Sequence, residues 1–69
     1  MPSVYLHQLE AIWEADKRLP SVTSRRAWAL ARDLSPVQVN NWWYRKKKAA
    51  RKSGFELPPG TYDLDVGVP

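Results

Sequence analysis

Apolar positions near the start of the chain fall at helical spacing. In "VYLHQLEAIWEAD", residues 4–16, Leu6, Leu9, Ile12 and Trp13 recur at three- and four-residue intervals, and Val4 and Tyr5 extend the stripe. Glu10, Glu14 and Asp16 lie between them, so the pattern predicts an amphipathic helix of about three turns. It breaks in "KRLPSVTS", residues 17–24. Pro20 disfavours helical geometry at Leu19, and Ser21 or Thr23 can cap a new helix. A second helix is expected over about Val22 to Arg32, with Trp28 and either Ala29 or Ala31 facing inward. "RDLSPVQ", residues 32–38, supplies the next boundary, because Ser35 is a good N-cap and Pro36 a good first helical residue. No Gly or further Pro follows until Gly54, so a third helix should run to about Lys52. About three residues separate helices two and three, the length of a helix-turn-helix connection. From Ser53 onward Gly and Pro accumulate. The expected organisation is an all-α domain over residues 1–53, a three-helix bundle, with a disordered tail over residues 54–69.

The third helix has two sides. Val39, Trp42, Trp43 and Lys46 fall at i, i+3, i+4 and i+7, on one side. Asn41, Tyr44, Arg45, Lys48 and Lys52 repeat that spacing about half a turn round. The first set should anchor the helix in a core with Leu9, Trp13, Trp28 and Leu34. The second should offer amide, phenol, guanidinium and ammonium groups to a partner. Lys46 is a cation on the inward side and needs a counter-charge, for which Glu10 is the candidate.

Composition narrows the classes. Sixty-nine residues make one domain, and the absence of cysteine excludes disulfides and thiolate metal sites. Four tryptophans and a few aliphatics must therefore supply the core. The short apolar stretches each carry charge, which predicts neither a membrane span nor a signal peptide. His7 is the single histidine, with no second ligand nearby, and is expected at the surface or half-buried, so no metal site and no cofactor are predicted. No nucleophile–base pair or Gly-rich phosphate loop suggests an enzyme. Charge, by contrast, is unevenly placed. Residues 25–52 hold nine Arg or Lys against one acid, Asp33, while the rest holds two cations against six acids. That asymmetry points to a face for a polyanion. A lone exposed helix with these groups suits the DNA major groove.

These residues resemble a homeodomain. That family's third helix reads Q-V-x-x-W-F-x-N-R-R, and Gln38, Val39, Trp42, Trp43, Tyr44, Arg45, Lys46 and Lys47 occupy the same frame. Leu9, Glu10 and Trp13 resemble its L-E-x-x-F in helix one, and Arg25, Trp28, Ala29 and Leu34 its helix-two pattern. The likeness covers residues 4–52. The Trp-Trp-Tyr-Arg-Lys run is also similar to divergent fungal mating-type homeodomains. Four departures stand out. Arg45 replaces the family's asparagine. Arg32 occupies the place of a core leucine, which Leu30 could fill by a small rotation. The loop before Pro20 is one residue longer than the commonest form, and the basic N-terminal arm is missing or cut off.

The resemblance implies a homeodomain-like fold and a nuclear transcription regulator bound to double-stranded DNA, with helix three in the major groove. Carried over position by position, the base-reading residues are Asn41, Tyr44, Arg45 and Lys48. The phosphate-binding residues are Arg25, Gln38, Trp42 through its indole N–H, Lys47 and Arg51, with Lys17, Arg26 and Lys52 adding attraction to the backbone. The family's loop tyrosine is Leu19 here and loses its hydroxyl. Two other readings stand beside this one: a heterodimerisation module that has lost base readout, and a non-specific nucleic-acid binder.

Overall fold

In a computed structural model describing residues 1–67, the chain forms three helices: α1 (Ser3–Ala15), α2 (Val22–Ala31) and α3 (Pro36–Lys52). Ser21 and Ser35 cap the last two. Their hydroxyls accept from the backbone N–H groups of Ser24 at 3.2 Å and Gln38 at 3.4 Å, satisfying donors that have no partner inside the helix. Both helices also stop in the same way. At the end of α2 the Leu34 N–H donates to the Ala29 carbonyl at 2.9 Å and the Asp33 N–H to Leu30 at 3.1 Å, with Asp33 in the left-handed region at φ 56°. At the end of α3 Phe55 donates to Ala50 at 2.9 Å and Gly54 to Arg51 at 3.1 Å, with Gly54 at φ 84°. Glycine takes that conformation without steric penalty, which is why α3 ends before the prolines are reached.

The core lies where the three helices meet. Leu9 and Trp13 from α1, Trp28 and Ala29 from α2, and Val39, Trp42 and Trp43 from α3 are buried together. Leu34 packs against this cluster half-buried. The indoles meet edge to face, with ring centroids 4.9 Å apart for Trp42–Trp43 and 6.4 Å for Trp13–Trp43, and Tyr5 meets Trp28 likewise at 6.3 Å. Such contacts suit the aromatic quadrupole and add about 0.5–1.5 kcal/mol each beyond the area they bury.

Two expectations are corrected. Leu30 does not rotate inward; it stays 56% exposed. Arg32 occupies the contested place by covering the core, its guanidinium carbon over the Trp28 ring at 4.2 Å from the centroid. That guanidinium also donates to the Trp28 carbonyl at 3.1 Å and to Gln8 at 3.3 Å. A planar cation can cover an indole and keep its edge polar, so the core closes without a leucine.

The second correction concerns the tail. Its residues through Gly67 fold back on the helices rather than remaining disordered, and residues 68–69 lie outside the described part. Strand β1 (Leu19–Pro20) pairs in parallel with β2 (Thr61–Tyr62), Leu19 opposite Thr61 and Pro20 opposite Tyr62. The Ser21 N–H donates to the Tyr62 carbonyl and the Ser21 hydroxyl to the Asp63 carboxylate, both at 2.8 Å. Leu64, 6% exposed, then enters the core. The cause is a short two-residue alternation: Tyr62, Leu64 and Val66 turn inward while Thr61, Asp63 and Asp65 stay exposed. Beside this seam Arg18 grips Asp16 through both carboxylate oxygens, the closest contact 2.7 Å, and lies 5.0 Å from the Tyr62 ring. Those hydrogen bonds hold the Asp16 carboxyl below its ordinary value.

Candidate nucleic-acid interface

Helix α3 is split along its length. Val39 and Trp43 are fully buried and Trp42 is 7% exposed, which commits one side to the core. Asn41, Tyr44, Arg45, Lys48 and Lys52 are all exposed. Seventeen residues at 1.5 Å each make this strip about 25 Å long. The four base-reading candidates therefore share one open side of one helix. The helical repeat required this once Trp42 and Trp43 were buried.

Lys46 is withdrawn from the strip. Its ammonium lies 2.5 Å from a Glu10 carboxylate oxygen and 5.3 Å from the Trp42 ring centroid, linking α3 to α1 as expected. The phosphate candidates are more scattered. Gln38, Arg51 and Lys52 are exposed and Lys47 is half-buried. Trp42 is first of all a core residue. Lys17, assigned to diffuse attraction, is held by Glu14 at 3.2 Å and covers Trp13 at 4.9 Å.

Two concavities flank the strip. One, of about 350 Å³, is lined by Gln38, Asn41 and Arg45 from α3 and by Met1 and Leu6 from the other end of the chain. The other, of about 470 Å³, is lined by Tyr44, Lys47, Lys48, Arg51 and Lys52. The second is cationic on nearly every side, and the one acid within residues 25–52, Asp33, lies beyond the end of α2. A groove of this composition attracts a polyanion and repels basic surfaces.

Arg25 is the residue whose setting sequence reasoning missed. It is 3% exposed, yet its Nε and Nη1 have no hydrogen-bond partner among the described residues. Its guanidinium carbon lies 5.3 Å from the centroid of the Tyr44 ring. A signal was present: Arg25, Trp28 and Ala29 stand at i, i+3 and i+4, one face of α2, and Trp28 was expected inside, with Ala29 one of two alternatives beside it.

Among the described residues no helix is long and apolar enough to cross a membrane, and no group of three His, Asp or Glu could hold a metal ion. Comparison with protein-family models, curated proteins and solved structures finds no match for this chain.

Proposed function

We propose that the chain is a homeodomain-like DNA-binding domain of a nuclear transcription regulator. In this reading α2 and α3 form a helix-turn-helix and α3 lies in the major groove. The observation that carries it is the division of α3 between a buried indole side and an exposed strip of Asn41, Tyr44, Arg45 and Lys48. A major groove about 12 Å wide admits one helix and presents base edges to such a strip. Lys47, Arg51 and Lys52 then neutralise phosphates beside it, and Gln38 and the Trp42 indole N–H donate hydrogen bonds to them; Arg25, 3% exposed, sits behind the strip against Tyr44. Each phosphate contact releases counterions, so affinity falls steeply with salt.

Titration against a randomised duplex pool at two salt concentrations tests this. The expected result is enrichment of a short site together with salt-dependent binding. Salt-dependent binding without enrichment would reduce the role to backbone attraction. A second reading, a heterodimerisation module, is favoured by Leu30 and Val37. These large apolar side chains are 56% and 66% exposed on the two helices either side of the connecting turn. Absence of any duplex binding would make it the leading one.

A further inference from the structure

Arg25 and Tyr44 sit on different helices and have opposite exposures. The first is 3% exposed and the second 51%. A buried guanidinium without a counter-charge must find electron density elsewhere, and its Nε and Nη1 find no hydrogen-bond acceptor among the described residues. What it faces, at 5.3 Å, is the ring of Tyr44. A cation over an aromatic face is held by the ring quadrupole, and the attraction strengthens as water is excluded. The packing of α2 on α3 thus fixes the guanidinium, and the guanidinium restrains the ring.

That restraint matters because Tyr44 stands on the exposed strip. An unrestrained tyrosine there would swing between rotamers and carry its hydroxyl past several base edges. A ring held from behind presents the hydroxyl at one place. We infer that Arg25 is a positioning residue that determines which base pair Tyr44 reads, while touching no base itself. The inference rests on the DNA-reading proposal above. Lysine at this position would keep the charge and lose the planar contact, so charge and positioning are separable by one substitution.

The experiment selects duplexes from a randomised pool with wild type, Tyr44→Phe and Arg25→Lys, and measures the salt slope of each. Tyr44→Phe identifies the base pair that the hydroxyl reads. Arg25→Lys is expected to reduce preference at that same pair by about tenfold, with the salt slope and the other positions unchanged. If Arg25→Lys weakens all duplexes alike and leaves that pair's preference intact, the positioning role is wrong and DNA reading stands. If wild type enriches no sequence, both fall. Should Arg25→Lys melt below the assay temperature, nuclear Overhauser contacts in free wild type decide. Contacts between the Tyr44 ring protons and the Arg25 side chain support the role; a ring averaged among rotamers overturns it.

Discussion

The Lys46 ammonium reaches a Glu10 carboxylate oxygen at 2.5 Å, so one cation of the basic run belongs to the scaffold. Both side chains are partly exposed, at 29% and 46%, and water screens the pair. A double-mutant cycle with Glu10→Gln and Lys46→Met should therefore give a coupling of about 0–1 kcal/mol in stability. DNA affinity should change little in Lys46→Met. A large loss of affinity with zero coupling would move Lys46 to the binding side.

Neighbouring residues on α3 should respond in opposite ways to truncation. Trp43 is fully buried against Trp13 and Trp42, and Trp43→Ala is expected to cost about 3–5 kcal/mol. Small domains have only about 5–15 kcal/mol in total, so the thermal transition should drop far or lose cooperativity. Tyr44→Ala should leave the domain folded. Melting curves for the two variants that coincide with wild type would remove Trp43 from the core.

Arg45 stands where the resembling family has asparagine, and it is exposed on the strip between Asn41 and Lys48. Asparagine pairs with adenine because an amide offers a donor and an acceptor side by side. Arginine has donors only, which match the O6 and N7 acceptors of guanine. Arg45→Ala should relax one base pair by about 1–3 kcal/mol, and Arg45→Asn should exchange a guanine preference for adenine. Equal weakening of every sequence, with the salt slope lower by about one, would instead make Arg45 a phosphate ligand.

Alkali should act on the tail through Tyr62. Burial pushes its phenol above the ordinary value of 10.0; the Asp16 carboxylate adds to the shift and Arg18 opposes it. The fold thus favours the neutral phenol. Its contribution is complete below the unfolded value and is lost as pH rises through the folded one. Its hydroxyl also has no hydrogen-bond partner among the described residues. Tyr62→Phe should leave stability near neutral pH unchanged or raise it by about 0–1 kcal/mol, and it should weaken the alkaline loss. Denaturant titrations at about pH 7 and pH 11 check this; identical losses in both proteins would reject it.

The helices were legible because each carries its own punctuation. Ser35-Pro36 opens α3 and Gly54 closes it, so its limits follow from local chemistry alone. The strip of Asn41, Tyr44, Arg45 and Lys48 was legible for a related reason: once Trp42 and Trp43 turn inward, the helical repeat sends the others out. What escaped was non-local. Nothing near Arg25 says that Tyr44 of another helix will lie over it, and nothing near Leu64 says that Leu19–Pro20 will offer an edge. Pro58, Pro59 and Gly60 also masked the short alternation after them, since their composition alone suggests disorder. Arg32 escaped because its flat guanidinium takes a place that size and polarity reserve for leucine.

The returning tail also orders events in time. Ser21 and Asp63 meet although they are 42 positions apart in a chain of 69. Joining distant segments costs more chain entropy than joining neighbouring helices, and contacts of long sequence separation slow folding when they must form early. The helices, closed by short loops, can pack first, leaving the β1–β2 seam and Leu64 to dock afterwards. Interactions made after the rate-limiting step act on escape from the native state rather than on arrival. Leu64→Ala should then accelerate unfolding in a stopped-flow experiment and leave the refolding rate within about twofold. The tail would act as a latch that sets how long the domain stays folded.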